Sequence, residues 1–158
     1  MKYQELLKRM KLDNIKSKAP GFFEQSGGYG MKVKSYSDTS ANGLTHCIED
    51  FINFLPDGFG EATRTNSTGT PREINGQIRW SKSNTRKGQA DIRGTYMGRS
   101  LSIEVKIGAD KQSEAQIKEQ ERITRAGGLY YIATDFPSFL EWWQEQGFEV
   151  PEFEPVAK

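Results

Sequence analysis

The sequence contains a single cysteine, Cys47, and a single histidine, His46, among its 158 residues. One cysteine excludes a disulfide within the chain and a zinc site built from several thiolates of one chain. One histidine makes a His-rich metal centre or a Ser-His-Asp triad hard to build. Any enzyme chemistry must therefore rest on carboxylates, lysines and a hard metal ion that prefers oxygen ligands.

Long apolar runs are also missing. No stretch approaches the roughly 20 apolar residues that span a bilayer, and the polar, charged N-terminus does not have the pattern of a secretory signal. We therefore expect an intracellular, cytoplasmic protein with no membrane partner. Hydrophobic residues make up 35% of the chain, enough for one modest core.

The net charge is only +1, but the basic residues are unevenly spread. Residues 1–34 hold eight Lys or Arg against three acids, and residues 60–112 hold ten against five. Residues 113–158 reverse the balance, with four against nine. If the two basic stretches share one face, that face would attract phosphates. A solvated surface of mixed charge explains the same counts equally well.

Periodicity and composition divide the chain into three parts. Residues 1–41 are predicted to form a short amphipathic helix (2–12) followed by an irregular arm rich in Gly, Ser and Lys. Residues 42–147 are predicted to form the main domain. Residues 148–158 are predicted to be a loose C-terminal tail.

The main domain is predicted to be α/β around a central mixed sheet. A strong apolar stripe predicts a helix over residues 44–55, with Asn42 as its N-cap. Gly98-Arg99 is predicted to be the two-residue turn of a hairpin between strands 90–97 and 100–107. The remaining prediction is a strand at 61–65, a polar loop at 66–77, a strand at 78–81, a helix at 113–126, a strand at 129–134 and a helix at 137–146.

Asp91, Glu104 and Lys106 are the candidate chemical residues. Side chains alternate along a strand, so Glu104 and Lys106 point to one face while Ile103 points to the core. The predicted turn places Asp91 opposite Lys106, with Arg93 opposite Glu104. Asp91 and Glu104 are then diagonal neighbours, roughly 7 Å apart at the backbone.

Two carboxylates at that spacing can jointly bind one Mg²⁺, and the Val105 carbonyl is a candidate third oxygen ligand. A bound divalent ion would lower the pKa of its water and stabilise charge on a transferring phosphate. Lys106 would orient the attacking water or neutralise developing charge. The alternative for Asp91, Glu104 and Lys106 is a set of ordinary cross-strand charge pairs on an exposed hairpin.

This pattern resembles the PD-(D/E)xK nuclease superfamily, with Ala90-Asp91 in place of Pro-Asp. More narrowly, the chain is similar to the VRR-NUC group, which includes short stand-alone members carried by phages and mobile elements. The resemblance covers residues 42–143. The matching blocks are RTNSTG (64–69), KGQADI (87–92), IEVK (103–106), SEAQ (113–116) and AGG (126–128).

The resemblance implies a restriction-endonuclease-like core, αβββαβ around a central mixed sheet, and Mg²⁺- or Mn²⁺-dependent cleavage of DNA, often branched, by a homodimer. It implies Asp91 and Glu104 as metal ligands, Lys106 as the catalytic lysine and Gln116 as a supporting residue. Ser113-x-x-Gln116 is also a capping box, so Gln116 has a structural role as an equal alternative.

One departure concerns the first helix of the main domain. Many relatives carry an acid near its start as an extra metal ligand, and residues 41–45 here contain none. Glu49 lies one turn later, flanking the apolar stripe, where a solvated helix face is the favoured role. We therefore expect a site of two carboxylates that the DNA phosphate helps to complete.

Arg64, Asn66 and Lys87 are candidate DNA contacts because they precede Asp91 and can bind phosphate. Trp80 has two interpretations, stacking on a base or packing in a core or interface.

Three functional hypotheses follow. The first is a structure-selective DNA endonuclease, and the second is a DNA-binding module that retains the fold without cutting. The third is a site-specific endonuclease of the restriction type.

Overall fold

A computed structural model describes residues 2–65, 70–81 and 86–153. Its helices are α1 (Tyr3–Lys18), α2 (Pro20–Gln25), a 3-10 turn (Gly28–Gly30), α3 (Ala41–Asn53), α4 (Glu114–Arg125) and α5 (Phe136–Glu145). Its strands are β1 (Gly60–Arg64), β2 (Thr70–Ile74), β3 (Gln77–Ser81), β4 (Ile92–Tyr96), β5 (Arg99–Val105) and β6 (Leu129–Ala133).

The central sheet has four strands in the order β1-β4-β5-β6. The β1–β4 and β4–β5 pairs are antiparallel, whereas β5 and β6 are parallel and are joined through α4. Two neighbouring parallel strands need such a crossover, because a tight turn reverses the chain direction and can join only antiparallel strands. The predicted α/β architecture with a mixed sheet is confirmed.

The β4–β5 turn differs from the prediction by one residue. Met97 and Gly98 form it, with φ angles of 48° and 77°, and Tyr96 pairs with Arg99. Two positive φ values define a type I′ turn, which fits the twist of a hairpin. The predicted Gly98-Arg99 turn is therefore wrong, and the pairing register moves by two residues. A shift of two leaves every side chain on its predicted face, because side chains alternate.

The hydrophobic core lies between one face of the sheet and helices α1, α3 and α5. Alternate residues of β5, Leu101, Ile103 and Val105, are buried in it. The apolar stripe of α3 packs there too, as predicted, but the helix is capped by Ser40, whose side chain accepts a hydrogen bond from Gly43 N, and not by Asn42. Burial of each large aliphatic side chain contributes about 1.5–3 kcal/mol.

The N-terminal region is more ordered than the irregular arm predicted for residues 13–43. Helix α1 continues to Lys18, and α2 follows at once with Pro20 at its first position. Tyr36 is buried in the main core together with Leu6, Leu7 and Met10 of α1. The prediction failed because the burial of Tyr36 depends on packing against other elements of the fold. Such packing leaves no periodic pattern in the surrounding sequence.

The segment predicted as a polar loop contains the first strand of a second, two-stranded sheet. β2 and β3 form a hairpin around Asn75-Gly76, whose φ angles of 53° and 73° again indicate a type I′ turn. Asn-Gly is the strongest short-range hairpin signal, and the sequence interpretation overlooked it. Residues 66–69 lie outside the described part of the chain.

The C-terminal elements follow the predicted order. α4 ends at Arg125 before Gly127, and α5 places Trp143 in the core. The expected loose tail is wrong at its start, because Phe148 is buried with its ring centroid 4.8 Å from those of Tyr96 and Trp143.

Candidate active site

The second face of the sheet carries buried polar side chains. Ser102, Glu104 and Lys106 alternate with the core residues of β5 and lie on the side covered by α4. Glu104 is 1% exposed and Lys106 is 9% exposed. Charged residues are almost never buried this deeply unless they are paired, so this face differs from an ordinary solvated strand face.

Asp91 lies immediately before β4, and both its backbone carbonyl and its side chain accept hydrogen bonds. Its carbonyl oxygen accepts a hydrogen bond from Thr65 N at 2.7 Å, and its side-chain Oδ2 accepts one from Val105 N at 2.9 Å. Ile92 pairs with Ile103 and Arg93 pairs with Ser102. The predicted pairings of Asp91 with Lys106 and of Arg93 with Glu104 are therefore wrong, and Asp91 is drawn to the end of β5 beside Glu104.

Glu104 is the centre of this polar face. Its Oε1 atom lies 3.1 Å from Lys106 Nζ and also accepts a hydrogen bond from Gln116 Nε2. Its Oε2 atom is buried and has no hydrogen-bond partner among the described residues. Burial and the nearby charge of Asp91 raise the pKa of Glu104, and the contacts with Lys106 offset this only in part.

Lys106 joins two acids. Its Nζ atom lies 3.1 Å from Glu104 Oε1 and 3.4 Å from Asp110 Oδ2. Burial by itself would lower the pKa of Lys106, but its contacts with Glu104 and Asp110 outweigh burial and raise it. Both contacts therefore favour the protonated form of Lys106.

Gln116 forms the predicted capping box and also contacts Glu104. Its Oε1 atom accepts a hydrogen bond from Ser113 N at 2.8 Å, and Ser113 Oγ accepts one from Gln116 N, completing a capping box. The other end of the same amide donates to Glu104. The cap thus fixes the amide that orients Glu104, which ties the start of α4 to β5.

The turn before Asp91 packs against the same end of α4. Gly88 has a φ of 79°, and a Cβ atom added there would lie 2.2 Å from the carbonyl oxygen of Ala115. Only glycine combines this backbone conformation with so close an approach. The neighbouring Lys87 is exposed.

Two carboxylates of the polar face have the chemistry of ligands for a divalent cation. Glu104 Oε2 is a buried, unpartnered carboxylate oxygen, and Asp91 lies beside it. Within residues 2–65, 70–81 and 86–153, no group of three His, Cys, Asp or Glu side chains could hold a metal ion. The Val105 carbonyl stays a predicted ligand; the amides on either side of it donate to Asp91 and Ala133.

Glu49 does not join the two acids in such a group. Its Oε1 atom accepts a hydrogen bond from Arg64 N at 3.3 Å. Arg64 pairs with Ile92 of the core face, and its guanidinium donates to Asn42 of α3 at 2.6 Å. Glu49 and Arg64 therefore stabilise the junction of α3 and β1. Asn66, another predicted DNA contact, lies outside the described residues.

The sequence interpretation missed two features of the polar face. Glu119 is buried and pairs with Arg122 through contacts of 2.6 and 2.9 Å. The hydrogen bonds from Arg122, together with the charges of Arg86 and Arg93, lower the pKa of Glu119. Its position three residues after Gln116, on the same side of α4, was the available signal.

Tyr130 is the second missed feature. Its hydroxyl and Glu104 Oε2 are the two buried side-chain polar atoms without a hydrogen-bond partner in the part of the chain that the structure describes. Burial, followed by the charge of Glu104, raises the pKa of Tyr130 to about 12. Tyr130 pairs with Ser102 in the sheet, so it shares the face of Glu104.

A scan against protein-family models matches no family, and no curated protein matches the chain. Among the described residues, no helix is both long and apolar enough to cross a membrane.

Proposed function

We propose that this protein is a Mg²⁺- or Mn²⁺-dependent DNA endonuclease of the PD-(D/E)xK type, close to the VRR-NUC group. The observation that carries the proposal is the buried carboxylate of Glu104, which lies beside Asp91 and Lys106 and has one oxygen without a partner among the described residues. Lys106 and Gln116 both contact Oε1 of Glu104. A buried charge needs compensation, so the other oxygen, beside Asp91, is suited to a metal cation.

The order of elements supports the same class. From α3 onward, and apart from the inserted β2–β3 hairpin, the chain runs helix, three antiparallel strands, helix and parallel strand. This is the αβββαβ order that the resemblance implies. Asp91 lies just before its second strand and Glu104 lies near the end of its third, so the two acids that the resemblance implies as metal ligands are close together.

The chain's own residues divide the work. Asp91 and Glu104 would hold the metal, which when bound supplies an acidified water and charge stabilisation. Lys106, kept protonated by its acid partners, would hold a nonbridging phosphate oxygen and neutralise charge that develops there. Gln116 would keep Glu104 in one rotamer, because its amide is itself fixed by the helix cap.

Basic side chains beside the acids support a nucleic-acid substrate. Glu119 lies one turn of α4 beyond Gln116, and its pKa is lowered by three arginines, Arg122, Arg86 and Arg93. With Lys87 in the exposed turn, they could hold phosphates on either side of the scissile bond. We further propose branched DNA as the substrate and a homodimer as the active form, since two sites about a two-fold axis suit symmetric incisions.

The test is cleavage of four-way junction, flap, single-stranded and linear duplex DNA with Mg²⁺, Mn²⁺ or EDTA. Asp91→Asn and Lys106→Met should each lower the cleavage rate about 10²–10³-fold or more. Glu121→Gln, which removes an exposed acid on the outer side of α4, is the matched control and should cut at the wild-type rate.

Metal-dependent cutting by both site variants at the wild-type rate would sink the assignment. Tight binding of DNA by the wild type without any cutting would favour the non-cleaving DNA-binding module. Sedimentation of the free protein and of its complex with a junction checks the homodimer.

A further inference from the structure

The β2–β3 hairpin is exposed along the stretch whose burial the structure describes. All ten residues from Pro71 to Trp80 are exposed. They include two large apolar side chains, Ile78 at 75% and Trp80 at 65% exposure. A lone two-stranded hairpin is marginally stable in water, so a hairpin this exposed suits an element that acts on a partner.

The two faces of the hairpin have different chemistry. Arg72 pairs directly with Arg79 across the strands. Ile78 pairs with Glu73, so these two lie on the opposite face together with Trp80. Like charges directly opposite each other destabilise a strand pair. An anion on the arginine face would remove that repulsion.

The hairpin is inserted in the chain at the candidate active site. Its incoming strand follows Thr65, whose amide hydrogen bonds to the Asp91 carbonyl at 2.7 Å. Its outgoing strand leads to Arg86, which lies within electrostatic range of Glu119. The described residues that flank the hairpin in sequence, Thr65 and Arg86, therefore lie near the candidate active site, and residues 66–69 and 82–85 lie outside the described part of the chain.

We propose that the hairpin is a nucleic-acid contact element for strands with unpaired bases. Its Arg72–Arg79 face binds backbone phosphates, and Trp80 on the other face stacks on an unpaired base. Phosphates supply the anion that the arginine pair lacks, and an exposed tryptophan stacks on any base regardless of sequence. A second copy of the same basic face would add repulsion, so nucleic acid is the favoured occupant.

This inference rests on the proposed function, and the experiment therefore measures binding separately from cutting. Fluorescence anisotropy in EDTA would follow labelled linear duplex and a four-way junction with a single-stranded gap at its centre. The double variant Arg72→Ala/Arg79→Ala should weaken both complexes and lower the slope of log affinity against log salt by about 2. The control variant Arg99→Ala/Arg125→Ala removes two exposed arginines elsewhere. It should change neither the affinity for the two DNAs nor the salt slope.

Trp80 provides the test for unpaired bases. Trp80→Ala should weaken binding of the gapped junction about 5- to 150-fold, the range expected for loss of one stacked base, with little effect on linear duplex. The gapped junction should also quench the tryptophan fluorescence of the wild type. That quenching should be absent in Trp80→Phe, which retains an aromatic ring.

The outcomes separate the two proposals. If the wild type cuts DNA and the hairpin variants match it in affinity and salt slope, the hairpin proposal is wrong and the nuclease proposal stands. If the wild type neither binds nor cuts, both fail. If the variants bind normally but change the sedimentation coefficient of the free protein, the hairpin is a self-association surface instead.

Discussion

The two faces of β5 are equally buried and chemically opposite. Leu101, Ile103 and Val105 pack into the apolar core, whereas Ser102, Glu104 and Lys106 lie between the sheet and α4. Burial of the first set stabilises the fold by the transfer of apolar surface from water. Burial of the second set carries a desolvation cost that contacts within the chain offset only in part, as the lone Glu104 Oε2 shows.

Burial of the apolar residues stabilises the fold, whereas burial of the charged residues costs free energy of folding. A buried ion pair is weak evidence for stability, because desolvation can exceed the attraction between the charges. The raised pKa of Glu104 has the same meaning, since the folded state holds its neutral form more readily than its charged form. Substitutions on the two faces should therefore have opposite consequences.

The largest effect on stability is expected on the apolar face. Ile103→Ala should lower the free energy of unfolding by about 2–5 kcal/mol, because it leaves a cavity in a fully buried position. The measurement is urea unfolding at pH 7. Ile78→Ala, on the exposed hairpin, is the control for the same chemical change and should shift stability by about 0.5 kcal/mol or less.

The adjacent Glu104→Gln substitution sharpens this contrast. It preserves shape and the contact with Gln116, and it removes a buried charge that Asp91 repels. It should leave stability at pH 7 unchanged or higher while it abolishes cleavage. If Glu104→Gln lowered the free energy of unfolding by several kcal/mol, the ion pair with Lys106 would stabilise the fold. The contrast between the two faces of β5 would then be wrong.

An intermediate effect is expected from pH and metal together. The pKa of Glu104 is raised in the folded state, so its contribution to stability is present at low pH and is lost as pH rises through the folded pKa. Metal bound to the ionised pair would restore it, by about 2.7 kcal/mol at one hundred times the dissociation constant.

Thermal unfolding with Mn²⁺ or EDTA across pH 5–9 measures this directly. The stabilisation by metal should grow with pH in the wild type and should be much smaller in Asp91→Asn, which loses one ligand. Equal stabilisation by Mn²⁺ in the wild type and in Asp91→Asn would place metal binding elsewhere in the molecule.

The smallest effect separates the two roles of Gln116. Ser113→Ala removes the N-cap side chain and should cost about 1 kcal/mol of stability with cleavage nearly intact. Gln116→Ala removes the reciprocal cap contact and the hydrogen bond to Glu104, so a similar loss of stability should be joined by a fall in cleavage rate. Equal cleavage by Ser113→Ala and Gln116→Ala would reduce Gln116 to a capping residue.

Much of the candidate site was predictable because strand alternation is a local property. Placing Glu104 and Lys106 on one face and Ile103 on the other needs only the predicted strand over residues 100–107. The register was harder to predict, because Met97 adopts a positive φ that its side chain disfavours. The error was harmless to the faces because the shift was even.

Other features depended on contacts between distant segments. Tyr36 is buried against α3. Residues 31–39 around it form no helix or strand, so no local sequence pattern predicts its burial. Glu119 is one charged residue among several on α4 until Arg86 and Arg93 approach it from another part of the chain. Such contacts leave no period in the sequence.

The amino-acid order alone set the mixed α/β elements, the strand alternation that pairs Glu104 with Lys106, and the capping box of Ser113 and Gln116. These depend on periodicity and on hydrogen bonds between residues a few positions apart. Only the folded chain decided that Asp91 meets the amide of Val105, that one oxygen of Glu104 has no partner in the described part of the chain, and that residues 71–80 of the hairpin are exposed. These depend on burial and on the approach of segments distant in sequence, where desolvation determines the energy of each polar atom.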